Sequence, residues 1–181
     1  VIDGAHSSVE AARALGRDNI VASHSLFEQA EVEAGTFDAV FAVYILEHVL
    51  DPGPILSLAK RALKPEGQLF VVVPNARALS RQLAHAMGLV DDLYALTPND
   101  LKSGHRRVYD ALTLNRDLRA GGFGIAKAGG LFVKLLADFQ LNELYDQDIL
   151  TSDHIEGLHR LGEQYPDLCG SLFAVATPDK G

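Results

Sequence analysis

Tyr44, Glu47 and His48 crowd together immediately after the apolar run Phe37-Asp38-Ala39-Val40-Phe41-Ala42-Val43. A second cluster, Gly104-His105-Arg106-Arg107-Val108-Tyr109-Asp110, sets basic and aromatic side chains in a polar stretch of an acidic chain. Histidine suits proton transfer near neutral pH, so His48 and His105 are the candidate bases. Arginine can grip an anionic group with paired hydrogen bonds, which makes Arg106 and Arg107, with Tyr109 beside them, candidate substrate contacts. Asp3 follows Val1-Ile2 and precedes Gly4. A carboxylate at the end of a strand can accept hydrogen bonds from vicinal ribose hydroxyls. Each group also has a plainer reading. Asp3-Gly4 can be a surface turn, Tyr44 to His48 the solvent-facing start of a helix, and the second cluster a solvated loop paired with nearby acids.

Strand and helix signals alternate along the chain, which predicts an α/β layered fold. Val1-Ile2 is the stub of a strand, Ser8 can cap a helix through Leu15, and residues 19–22 read as a short strand. Phe37 to Val43 and Leu69 to Val73 read as buried strands of a parallel sheet covered on both faces. Pro54 is expected to open a helix carrying Ile55, Leu58, Ala59, Ala62 and Leu63, and Lys64-Pro65-Glu66-Gly67 to form a turn. If a helix starts after Val43, its spacing puts Tyr44 and His48 on one face. Helices are expected over 77–87 and 111–119, strands over 123–128 and 172–176, and a helical stretch over roughly 135–163. Residues 91–108 are polar and irregular, long enough for a functional loop. A closing pair of strands after a parallel set predicts an antiparallel edge strand. Ligands of such sheets bind beyond the carboxyl ends of the strands, where Tyr44, His48 and Asn75 fall.

The composition narrows the function. With 181 residues, 48% hydrophobic and 22% charged, the chain suits a single globular domain spanning 1–181. A formal net charge of −8 argues against a broad nucleic-acid groove, which needs an excess of Lys and Arg. No apolar run is long enough to span a bilayer, so no membrane partner is expected. The lone Cys169 cannot form an internal disulfide and fits a buried thiol in a reducing cytoplasm. Paired-cysteine metal sites, a Gly-x-Ser-x-Gly elbow and a Gly-x-Gly-x-x-Gly loop are all missing from the sequence.

Taken in order, Phe37-Asp38-x-Val40, Leu46-Glu47-His48-Val49, Asp51-Pro52, Leu63-Lys64-Pro65-x-Gly67 and Val73-Pro74-Asn75 closely resemble the class I S-adenosylmethionine (SAM)-dependent methyltransferases. Gly104 to Asp110, Gly121-Gly122-Phe123 and Gly129 to Lys134 look like a bacterial subgroup tied to sugar and natural-product methylation. The resemblance implies a Rossmann-like, mostly parallel sheet and SAM as cofactor. It implies a methyl transfer to O or N of a small-molecule acceptor in the cytoplasm, with a homodimer open to the protein. It also implies site residues. Asp3, with Gly4, resembles the acid that binds the SAM ribose, and Ser25, Leu26 and Phe27 resemble the loop bordering the adenine. Val43 and Tyr44 resemble the step lining the methyl group, and His48 the histidine beneath the cofactor. The family's first strand and glycine-rich loop have no counterpart, so a gap with unpaired strand edges is expected where that strand would lie. Some small-RNA and quinone-pathway O-methyltransferases carry Glu-x-x-Glu-His after the fourth strand and a further His. Here Tyr44 stands at the first Glu, leaving only Glu47, His48 and His105, and no metal is expected. A catalytically inactive SAM-fold partner subunit is the non-enzymatic alternative.

Overall fold

The computed structural model describes residues 1–179. In chain order the elements are β1 (Ile2–Asp3), α1 (His6–Ala14), β2 (Ser23–His24), β3 (Phe37–Val43), α2 (Pro52–Ala62), β4 (Leu63–Pro74), α3 (Leu79–Ala86), α4 (Pro98–Lys102), α5 (Ala111–Ala120), β5 (Phe123–Val133), α6 (Asp138–Asp146), α7 (Ser152–Gln164) and β6 (Cys169–Pro178). A four-stranded sheet runs in the order β3-β4-β6-β5, and β1-β2 form a separate parallel pair. β3 and β4 pair in parallel, from Val40 opposite Leu69 to Val43 opposite Val72. β6 runs antiparallel to both β4 and β5. The antiparallel strand expected from the sequence is therefore present, one place in from the edge. Among the described residues no helix is long and apolar enough to cross a membrane.

Alternation builds the core. Leu69, Val71 and Val73 of β4 are buried while Phe70 and Val72 are only partly so. The buried set packs with Ile55, Leu56 and Ala59 of α2, Leu114 and Leu118 of α5, Phe123 of β5 and Ala174 and Ala176 of β6. On the opposite face Phe41 stacks on Phe70 with ring centroids 4.7 Å apart, yet Phe41 is 67% exposed. The expectation that Phe37 to Val43 is buried on both faces is thus corrected: of its residues only Ala42 is buried. The reason is topological. β3 pairs only with β4, and β1 only with β2, so one edge of each strand is unpaired. An apolar groove of about 470 Å3 follows β3, lined by Val1, by Ile2 of β1, by Phe37 and Val40 and by Leu58 and Ala62 of α2. The unpaired strand edges expected from the sequence are thus present on β1 and β3.

Several boundaries shift for local reasons. α2 begins at Pro52, not Pro54, because the Asp51 side chain accepts the Gly53 N–H at 2.9 Å as the cap and proline sits readily in the first turn. Lys64 to Gly67 are absorbed as an irregularity of β4, where Phe37 pairs with Leu63 but Ala39 with Gln68. β5 runs on past Ala128 because Gly129-Gly130 admit their neighbours; a Cβ on Gly130 would lie 2.5 Å from the Cys169 sulfur. The long helical stretch divides into α6 and α7. Cys169 is fully buried, and burial pushes its thiol above the usual range.

Candidate active site

Residues 44–50 form turns, not the helix considered from the spacing of Tyr44 and His48. Tyr44 takes a left-handed backbone (φ 55°), and its N–H donates to the Val72 carbonyl at 2.9 Å, so β3 ends there with a sharp change of direction. The His48 N–H closes the turn on the Ile45 carbonyl at 3.0 Å. The turn buries Leu46 and Glu47 completely. Neither carboxyl oxygen of Glu47 has a hydrogen-bond partner among the described residues. Burial pushes its carboxyl above the usual range, against the opposing pull of its own backbone amide and of His48.

The loop 91–110 lies against this turn. The Arg106 N–H donates to the Glu47 carbonyl at 2.7 Å. The rings of His48 and His105 meet edge to face with centroids 4.9 Å apart. Glu47, His48 and His105 each offer one ligand atom, and these atoms lie within 4.8 Å of one another. Among the described residues these three lie close enough together to hold a cation. A polar cleft of about 550 Å3 opens here, lined by Tyr44, Glu47, His48 and His105, by Asn75 and Arg81, and by Ser171 at the start of β6. The Tyr44 hydroxyl lies 2.9 Å from that of Ser171 across the cleft.

The other expected site residues divide. Arg107 does not reach into the cleft as a substrate clamp. Its Nη1 donates to the Leu46 carbonyl at 3.0 Å and its Nη2 to that of Leu50 at 2.7 Å, so it braces the turn. Tyr109 is only 1% exposed, and its hydroxyl donates to Asp117 at 3.1 Å, so it too is a framework residue. The phenol is pushed well above its usual range, first by burial and then by the Asp117 charge. The Arg106 side chain is exposed. Asp3, Gly4, Ser25, Leu26 and Phe27 form a second group at the ends of β1 and β2. Oδ1 of Asp3 accepts the Ala5 N–H at 2.7 Å, which orients the carboxylate and leaves Oδ2 as an acceptor. Nε2 of His24 donates to the Gly4 carbonyl at 3.0 Å, and a Cβ on Gly4 would press on Leu26 at 3.3 Å. Ser25 turns its hydroxyl to the Leu26 carbonyl, Leu26 is exposed, and Phe27 lines the apolar groove. Val43 is exposed at the end of β3. No residue of the Asp3 group lines the polar cleft.

Sequence reasoning passed over Asp100 and Arg81. Asp100 is 8% exposed, bonds to Thr97 and Arg81 through Oδ2, and lies 3.1 Å from Nδ1 of His105 through Oδ1. Burial raises its carboxyl, but the bonds from Thr97 and Arg81 outweigh that and hold it below the usual range. The signal was Thr97-Pro98-Asn99-Asp100, a capping box at the start of α4.

Comparison with known proteins bears on this geometry. Residues 2–128 match the family model for a methyltransferase domain. The mitochondrial ubiquinone biosynthesis O-methyltransferase of Homo sapiens is 32% identical over 109 residues, 59% of this chain and 28% of that protein. The ubiquinone biosynthesis O-methyltransferase of Neisseria meningitidis is 28% identical over 141 residues, 75% of this chain and 58% of that protein. The chain thus spans less than two thirds of the length of either relative. Among solved structures, a SAM-dependent methyltransferase of Thermotoga maritima superposes with a TM-score of 0.69 at 17% identity, over 98% of this chain and 72% of that one. That likeness is one of fold.

Proposed function

Because the chain belongs to the methyltransferase-domain family, whose members draw on S-adenosylmethionine, we propose that it transfers a methyl group to an oxygen of a small organic acceptor, with His105 taking the acceptor's proton. The observation that carries this reading is the polar cleft at the carboxyl end of β3 that His105, backed by a buried carboxylate, lines together with Tyr44 and Ser171. The relatives' names favour oxygen over nitrogen, and make an intermediate of ubiquinone biosynthesis the first acceptor to assay, ahead of sugar or natural-product hydroxyls. The 181 residues serve as one domain in this reading.

The ends of β1 and β2 fit a nucleoside. Asp3 has a free carboxylate oxygen for ribose hydroxyls, and Gly4 leaves the space beside Leu26 that a side chain would crowd. S-adenosylmethionine, when bound, supplies a methyl on a sulfonium that passes to the acceptor oxygen while the sulfur keeps the bonding pair. The chain's part is to hold the hydroxyl in line, keep water out and receive its proton. His105 does the last, with the His48 ring packed against it edge to face. The test is His105→Gln in the full-length polypeptide. The expected result is a fall in kcat of roughly a hundredfold or more at unchanged SAM affinity. Unchanged kcat at saturating acceptor would remove His105 as the base.

A second reading adds a divalent cation, and Glu47 favours it. A fully buried carboxylate with both oxygens unpaired, next to two histidines, calls for a partner. Glu47, His48 and His105 would hold the ion, which would supply a Lewis acid to the acceptor oxygen. Chelation followed by elemental analysis separates the readings. Full activity without metal supports the first. Activity lost to the chelator and restored by a divalent cation supports the second.

A further inference from the structure

We propose that Asp100 is a positioning residue that holds His105 in the tautomer with the proton on Nδ1, so that Nε2 carries the lone pair. The inference rests on the reading of His105 as the base. Its ground is the way the two oxygens of one buried carboxylate are shared out. Oδ2 accepts the Thr97 N–H at 2.8 Å, the Thr97 hydroxyl at 2.7 Å and Nη1 of Arg81 at 3.2 Å. Those three donors leave Oδ1 for His105, 3.1 Å from Nδ1. An ionised carboxylate can only accept, so Nδ1 must donate. A neutral imidazole with Nδ1–H has its basic lone pair on Nε2.

The loop is built to keep this arrangement. The His105 N–H donates to the Asp100 carbonyl at 2.9 Å, so backbone and side chain both tie the pair together. Arg81 reaches from α3 with Nε on the Leu93 carbonyl at 2.6 Å and Nη2 on the Ala95 carbonyl, while its Nη1 meets Asp100. One partly buried guanidinium therefore orders the loop and stabilises the negative charge that sets the tautomer.

The arrangement makes a sharp claim about Asp100→Asn. The Thr97 and Arg81 donors require the amide oxygen of Asn at the Oδ2 position. The NH2 group then faces His105 and donates to Nδ1, which moves the ring proton to Nε2. The variant should keep the shape of the loop and lose the base.

The experiment is nitrogen NMR of the full-length protein with labelled histidine, at a pH where the imidazole is neutral, alongside steady-state kinetics. In the wild-type protein His105 should show a protonated Nδ1 and a bare Nε2. In Asp100→Asn the pattern should reverse and kcat should fall by roughly tenfold or more, with the Michaelis constant and SAM affinity within about twofold. A merely structural Asp100 would lower stability without reversing the tautomer. A protonated Nε2 in the wild-type protein overturns the proposal whether or not the variant folds. Wild-type kcat in a variant with the reversed tautomer overturns it as well. His105→Gln reports separately on the base itself, since the wild-type tautomer is measured without reference to turnover.

Discussion

The backbone N–H of Arg106 donates to the carbonyl of Glu47 at 2.7 Å. That bond helps join the turn after β3 to the loop 91–110, where the rings of His48 and His105 meet. Arg107 reinforces the junction through the carbonyls of Leu46 and Leu50. Two neighbouring arginines thus have different tasks, one by its backbone and one by its guanidinium.

Arg107→Ala should therefore act through the framework. Losing two hydrogen bonds from a charged donor, partly solvent-screened, should cost about 1–3 kcal/mol of stability. It should also lower kcat, because the turn carrying His48 loosens. Arg106→Ala keeps its backbone bond, so any effect should appear in the Michaelis constant for an anionic acceptor. Thermal unfolding and kinetics of the two variants check this. Equal melting temperatures for Arg107→Ala and wild type would refute the bracing role.

Asp3→Ala should weaken SAM binding in the full-length protein without unfolding it. A hydrogen bond to a charged group contributes ~1.5–3 kcal/mol, so affinity should drop roughly tenfold or more. Calorimetric titration measures it. Unchanged affinity would mean the carboxylate serves only the Ala5 N–H at the start of α1.

Asp110 should give the protein an acid-sensitive component of stability. It caps α5, taking the Thr113 N–H at 2.7 Å, and accepts the Tyr94 hydroxyl at 2.7 Å. Burial raises its carboxyl, but the Thr113 and Tyr94 bonds outweigh that and hold it below the usual range. A depressed folded-state pKa contributes stability above the unfolded-state value and loses it as pH falls through the folded one. Asp110→Asn should thus be less stable than wild type at pH 7, by about 1 kcal/mol. The difference should shrink as pH falls below about 4. Urea unfolding across that range tests it, and a gap independent of pH would count against the charge.

The 181-residue chain expressed alone should be poorly soluble or bind SAM weakly. Its groove presents Val40, Phe41 and Leu58 beside unpaired edges of β1 and β3, a surface prone to association. Sedimentation and SAM titration of a preparation with the intact mass of this sequence are the measurements. A monomer binding SAM tightly would show that the groove is no impediment.

The sequence by itself determined the layered α/β class, the place of the two chemical clusters and the order of strands and helices from Phe37 onward, apart from α4 and the break between α6 and α7. Those follow from local patterns: alternation in β4, the caps at Asp51 and Asp110, and the landmarks from Phe37 to Asn75. It could not show that residues 44–50 turn, because the left-handed Tyr44 is held by a bond to Val72 on the neighbouring strand. Nor could it separate Arg106 from Arg107, or remove Tyr109 from the candidate contacts, since burial and partners far along the chain settle which side chains are spent on the framework. Asp100 was hidden for the same reason: a capping residue by its local pattern, it becomes the partner of His105 only when Arg81 draws the loop onto α3. Short-range periodicity is written in the chain, whereas the sharing of a carboxylate between distant donors exists only once the tertiary structure has brought them together.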